Sequence, residues 1–257
     1  MFRSAKTFAN YINYVRVGCD LMHVNSAATK DPLVKRATVA ITKRGNFICQ
    51  QPRFICKEVL AKLINHCLKS ESTAEAMLYV AAYAFLLRVP SEGLPMRRGD
   101  VGIAAPCQEH KSVLHKVDGE VVLLLSSQKN QPQGSRIVPK CSCNFSPDAC
   151  PVHVLWPYFA RLPVGHQPFA NLSLNAVLVG LRNRLALLGV ADAACYRSHD
   201  FRRGHARDLQ ARGASLFEIL EAGEWRSPAF LKYLNVCELE RDVALQAHLD
   251  DSSGDEG

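Results

Sequence analysis

The sequence predicts a mainly α-helical protein with a small three-stranded antiparallel sheet. Helical apolar spacing fills the first ninety residues and the last third of the chain, while strand-like segments separated by turn residues are confined to the stretch from Ser112 to Val138. At 48% hydrophobic and 21% charged, the chain can bury a core, which excludes a wholly disordered protein. Its 257 residues suffice for one large domain, or one domain and a fragment of another.

Residues 1–52 hold a helical pattern from Phe2 to Met22, a polar stretch with Asn25, Ser26 and Asp31-Pro32, and a second helical piece from Leu33 to Arg44. The Gln50-Gln51-Pro52 cluster is the expected boundary, because a proline pushes its predecessor out of helix. Some fifty residues make a poor independent domain, so this segment is expected to be the end of a larger helical one. Beyond it, Lys57 to Leu68 reads as a helix, and Ser72 with Glu75 three residues on predicts a capping box opening a helix from Thr73 to Leu87. Pro90, Gly93 and Pro95 then break the run. Strands are expected at Ser112–Lys116, Glu120–Ser126 and Ser135–Val138, with turns at Val117-Asp118-Gly119 and at Gln128 to Gly134. Further helices are expected at Val152–Arg161, Ser173–Leu188, Ser198–Arg212, Ser215–Ala222 and from Pro228 to about His248, where Ser227 and Pro228 suit the N-cap and first helical positions. The acidic tail 250–257 is expected to be disordered.

The longest purely apolar run, Ala76 to Leu87, falls short of the roughly 20 residues that cross a bilayer, and the opening residues lack the apolar core of a signal peptide. No membrane association is expected. Ten cysteines in a chain of this size fit a reducing compartment with some metal-bound thiols better than a disulfide framework. The net charge is +7, and the tail holds four of the 24 acids, so the body is more basic still. Such an excess suits a polyanionic partner, nucleic acid first.

Single residues say little. His199 and Arg202 lie three apart on an expected helix and can address one small anion together, yet a solvated helix face often carries such a pair. Tyr233 adjoins an apolar stripe of Phe230, Leu234 and Cys237, as a half-buried core tyrosine would. To act as a nucleophile, a phenol of pKa about 10 needs a base for its proton and cations on the phosphate. Arg88 at a helix end and Lys129 in a turn are ordinary surface positions.

Their order says more. Arg88 after an apolar helix, Lys129 between two strands, His199-Asp-Phe-Arg202, Gly223-Glu-Trp225 and then Tyr233 form a series that resembles the tyrosine recombinase, or phage integrase, family of DNA breaking-rejoining enzymes. The resemblance spans roughly residues 54–248. LLRVPSEGLPMRRGDV at 86–101 is similar to the family's first arginine box, and the 34-residue interval from His199 to Tyr233 fits. YRSHDFRRGHA at 196–206 and GEWRSPAFLKYL at 223–234 look most like the recombinases of fungal Crypton-type mobile elements. Two departures stand out. Many members place a His or Trp nine residues before the tyrosine, whereas here Trp225 is eight before and Glu224 nine before, so either Trp225 packs on the site or Glu224 takes the slot. The histidine often found after the second arginine is Arg203.

The resemblance implies a tyrosine recombinase catalytic-domain fold over 53–249, behind a partial helical core-binding domain at 1–52. It implies that Arg88 and Arg202 clamp the scissile phosphate, Lys129 protonates the departing 5′-oxygen, His199 assists Tyr233 as general base and Trp225 supports the site. The product is a 3′-phosphotyrosine, formed without a catalytic cofactor. Implied partners are double-stranded DNA and further copies of the chain, tetrameric in the synapse and monomeric or dimeric off DNA, in the nucleus. The alternative is a decayed or domesticated element protein that binds DNA without cutting it; a nicking-closing activity without recombination and a zinc-stabilised interaction module are further rivals.

The insert CSCNFSPDACPVH supplies Cys141, Cys143, Cys150 and His153, three thiolates and an imidazole that suit a closed tetrahedral structural Zn2+ site. Cys67, Cys195 and Cys237 are expected to be small buried apolar residues.

Overall fold

The computed structural model describes residues 5–44, 52–102, 109–127, 133–225 and 234–235. The chain forms two compact units, Met1–Gln51 and Pro52–Gly257. Among the described residues, no helix is long and apolar enough to cross a membrane.

The first unit contains α1 (Ala5–Leu21), α2 (Ala27–Lys30) and α3 (Pro32–Arg44). The polar stretch between the two expected helices supplies their joints. Ser26 Oγ donates to Asp20 at 2.9 Å, and the Asp31 carboxylate accepts from Leu33 N at 2.6 Å, the bond of an N-cap ahead of a proline at the first helical position.

The second unit is built around α5 (Thr73–Ala84), in which every residue from Ala76 to Ala84 is buried. A helix that is apolar all round must be enclosed, here between the amphipathic α4 (Lys57–Lys69) on one side and α8 (Asp200–Ala211) on another. The expected capping box at Ser72 does not form. Ser72 sits at the N-cap without a side-chain cap bond, because Glu75 is drawn away to pair with Arg184 of α7 (Leu174–Leu187). A complete box exists instead at Ser215 and Glu218, opening α9 (Leu216–Gly223). α5 also stops three residues short of Leu87. Leu86 takes a left-handed conformation (φ 49°), and Leu87 N closes back on Ala82 O at 3.0 Å. One wide turn, Val89–Gly93, then leads into the sheet.

The sheet is mixed and four-stranded, in the order β1 (Met96–Val101), β2 (Ser112–Val117), β3 (Glu120–Leu125), β4 (Ser135–Ile137). This corrects the expectation of three antiparallel strands. The antiparallel β2–β3–β4 part lies where expected, with Asp118 and Gly119 both at positive φ in the β2–β3 turn. The extra strand, β1, runs parallel to β2. Its sequence, MRRGDV, hides it: two arginines, a glycine and an aspartate break any apolar alternation. The glycine is there for close approach, since a Cβ at Gly99 would lie 2.4 Å from the His115 ring on β2. On its other side β1 is tied to a loop, Arg98 N to His166 O at 2.9 Å and Gly165 N to Arg98 O at 2.8 Å.

After the cysteine-rich insert, the helix expected at Val152–Arg161 divides into a wide turn, Pro151–Leu155, and α6 (Trp156–Ala160). Ser173 caps α7 by accepting from Ala176 N at 3.2 Å. α8 starts at Asp200, with His199 as its N-cap residue. It lies against the extended segment before α4 so closely that a Cβ at Gly204 would stand 1.9 Å from Ile55 O, while Ile55 N donates to Asp200 O at 2.9 Å. The Asp208 carboxylate secures the same joint by accepting from Lys57 N at 2.8 Å and from the Tyr83 hydroxyl at 2.6 Å. The helix expected from Pro228 to about His248 and the tail 250–257 lie outside the described residues.

Candidate functional site

Arg202 is on the first turns of α8 and only 3% exposed. Burial of a guanidinium demands partners, and two backbone carbonyls provide them: Nη1 donates to Leu86 O at 2.6 Å and Nη2 to Gly223 O. Both acceptors sit at helix ends beside non-glycine residues with left-handed backbone, Leu86 itself (φ 49°) and Glu224 (φ 48°). The ends of α5 and α9 thus turn their last carbonyls onto one side chain, which satisfies groups that a helix C-terminus leaves unbonded. The Trp225 ring covers the guanidinium, its centroid 4.8 Å from Cζ. It also lies across Gly223, where a Cβ would meet the ring at 2.3 Å. Between the two readings of this segment, Trp225 is the residue packed on Arg202, and Glu224 is the left-handed residue that turns the chain.

Arg88 stands at the start of the Val89–Gly93 turn. That turn wraps the Glu92 carboxylate back onto it, Arg88 N donating to Oε2 at 2.7 Å and Nη1 to Oε1 at 2.8 Å. Glu92 is 3% exposed, so Arg88 is held by both backbone and side chain. The Arg203 side chain is held at 2.8 Å by Asp200, whose other carboxylate oxygen accepts from Arg197 N. His199 feels all three arginines. Burial first, then Arg202, Arg203 and Arg88, push its imidazole down to about 4, so it is neutral at physiological pH.

Arg88, His199, Arg202 and Trp225 therefore gather around the ends of α5, α8 and α9. Lys129, in the connection between β3 and β4, and Tyr233 lie outside the described residues. A groove of about 1200 Å³ adjoins the cluster, lined among others by Leu86, His205, Phe217, Trp225, Lys140 and Cys141.

Cys141, Cys143, Cys150 and His153 converge, their ligand atoms all within 4.8 Å of one another. A tetrahedral zinc with Zn–S of about 2.3 Å and Zn–N of about 2.0 Å requires S···S of ~3.8 Å and S···N of ~3.5 Å. The cluster has Cys141 Sγ to Cys150 Sγ at 3.8 Å, and the three sulfurs at 3.4, 3.0 and 3.5 Å from His153 Nδ1. The donor set fits a structural metal such as zinc, with four protein ligands closing the coordination sphere. Burial opposes ionisation of Cys150, but bonds from the Ser142 and His153 backbone, the His153 ring and Cys143 outweigh it and draw the thiol down to about 6. Local turns make the site: Ser146 N bonds Ser142 O at 2.7 Å, and Val154 N bonds Cys150 O at 2.9 Å.

The loop between these ligands is fastened to the rest of the unit by Phe145. Lys57 Nζ lies 3.8 Å and Arg212 Cζ 3.9 Å from its ring centroid, joining the insert to the start of α4 and the end of α8. Of the other cysteines, Cys67 is fully buried as expected, Cys195 is only half-buried and Cys237 is outside the described residues.

Sequence reasoning missed Glu92 as the partner of Arg88, the Phe145 contacts, and Gln210, whose amide bonds the backbone of Asn235. Glu92 had a usable signal, an i,i+4 acid after an arginine. The other two had none. No family model matches the chain, and neither does any curated protein.

Proposed function

We propose that the chain is a tyrosine-type DNA recombinase that cleaves and rejoins duplex DNA through a covalent 3′-phosphotyrosine. The observation that supports it most is Arg202, buried and held by two carbonyls that fix its guanidinium without neutralising it, three residues from His199 at the start of α8. A cation fixed in place stabilises the charge that grows on the non-bridging oxygens as a fifth oxygen approaches phosphorus.

In this reading Tyr233 Oη attacks the scissile phosphorus, His199 accepts the phenolic proton, and the P–O5′ bond breaks as Lys129 gives a proton to the departing 5′-oxygen. Religation is the reverse, with a 5′-hydroxyl as nucleophile. Arg88, steadied by Glu92, is the second phosphate cation, and Trp225 keeps Arg202 in place. Duplex DNA is the partner, strand exchange takes place between copies of the chain in a tetrameric synapse, and the compartment is the nucleus.

The test is a trap with a library of nicked duplexes of randomised centre, whose cleaved strand loses a short fragment and cannot be religated. A covalent adduct mapped to Tyr233, absent in Tyr233→Phe while DNA binding persists, is the expected result. Salt-sensitive binding with no adduct in the wild-type protein supports the non-cleaving DNA-binding protein instead. Lys129→Ala is expected to be rescued by a 5′-bridging phosphorothiolate, whose leaving group needs no proton.

A further inference from the structure

Leu234 and Asn235 follow Tyr233 directly, and both are anchored. Gln210, on the last turn of α8, donates from Nε2 to Asn235 O at 2.9 Å and accepts from Asn235 N at 2.8 Å. Its side-chain amide pairs with a peptide as a neighbouring strand would, using both backbone groups of one residue. Leu234 packs with Leu86, Ala206 and Ile219, a small cluster that Trp225 also joins. Leu86, whose carbonyl fastens Arg202, therefore belongs to the cluster that seats the residue after Tyr233, and the Trp225 ring packs against that same cluster.

We propose that Gln210 is the positioning residue for Tyr233: by gripping both backbone polar groups of Asn235 it ties the chain two residues after Tyr233 to the last turn of α8, and so sets where the phenol meets the phosphate that Arg202 holds. This rests on the reading of Tyr233 as the nucleophile. Gln210 touches no reacting atom and acts through Asn235 alone.

The experiment uses the full zinc-loaded chain with Gln210→Met and Gln210→Glu, and the same nicked duplex library. Single-turnover adduct formation is measured at saturating DNA, alongside the half-saturating DNA concentration. Gln210→Met, similar in size but without either hydrogen bond, is expected to lower the saturated rate about 10- to 100-fold, the loss that follows a misplacement of about 1 Å, and to leave the half-saturating concentration unchanged. Gln210→Glu retains the acceptor for Asn235 N but as a carboxylate has no donor for Asn235 O. Its rate relative to wild type at the same pH is expected to recover as the pH is lowered, because the protonated carboxyl donates again. In the free protein, exchange of the Asn235 amide hydrogen is expected to accelerate in Gln210→Met.

A wild-type rate in Gln210→Met, unchanged Asn235 exchange, or a loss in Gln210→Glu with no pH-dependent recovery overturns the proposal. A wild-type protein that forms no adduct through Tyr233 overturns the nucleophile reading itself, and the proposal with it. The two failures are distinct, since in the second the unmodified chain is already silent.

Discussion

Replacing Arg202 with methionine tests whether the buried guanidinium is the fastener it resembles. The change removes donors from Leu86 O and Gly223 O and the cation from the Trp225 face. Each buried carbonyl left without a donor costs about 1–3 kcal/mol. Loss of the cation–ring contact adds about 0.5–2 kcal/mol. Relief from burying a charge works the other way, and the methionine stem fills most of the same volume. The net expectation is a destabilisation of about 3 kcal/mol. For a unit of about 200 residues, where 1 kcal/mol moves Tm by about 2–4 °C, that is a fall of about 6–12 °C. Arg202→Lys keeps the charge but cannot bond both carbonyls in a fixed fork, so it is expected to fall between the two. The assay is thermal and urea unfolding of the zinc-loaded protein without DNA, followed by circular dichroism, so that catalysis plays no part. A methionine variant within about 0.5 kcal/mol of wild type refutes the reasoning: the two carbonyls would then have other donors, and the convergence of α5, α8 and α9 on Arg202 would not be what holds them.

Elemental analysis of reduced, unchelated protein is expected to find one zinc per chain, and Cys143→Ser to lower both metal content and Tm, since metal binding and local folding are coupled. Phe145→Leu is expected to keep the metal but loosen its loop, losing the contacts with Lys57 and Arg212, each worth about 0.5–1 kcal/mol; hydrogen exchange over 141–150 reads this directly. Burial lowers the His205 pKa to about 3, far below its unfolded value, so the unfolded chain binds the extra proton and stability from this group drops as pH falls below about 6.5. His205→Gln is therefore expected to flatten the urea-unfolding stability profile between about pH 6.5 and 4, and an unchanged slope counts against a neutral imidazole at this half-buried position.

The helices were largely legible because each carries its own signal, an apolar face at α4, an apolar run at α5, a capping serine at α7. Starts and stops were less so. Ser72 and Ser215 both precede a glutamate by three, yet only Ser215 closes a box, because Arg184 from a distant helix competes for Glu75. β1 escaped because its pairing depends on a close approach between Gly99 and His115, a property of two strands together. The cysteine cluster could be read from ligand type and spacing, since its geometry is local. The arginine cluster could be read as a set of cations and no further. Its partners include backbone carbonyls of Leu86 and Gly223, which have no residue identity to recognise, and Gln210 meets a peptide group for which the same is true.

The Arg202 junction also bears on how the chain acquires its site. Its two bonds join residues 116 and 21 positions apart, so they cannot form until the ends of three separately folded helices have met. Loop closure over such distances comes late, after local helices are already in place. Leu86 and Glu224, in left-handed backbone without being glycine, are each disfavoured by about 1–2 kcal/mol until that meeting compensates them. A chain emerging from the ribosome, or partly opened by heat, can thus possess nearly all its helices and still lack the Arg202 junction, so the grouping of Arg88, His199, Arg202 and Trp225 is completed in one cooperative step with the rest of the fold.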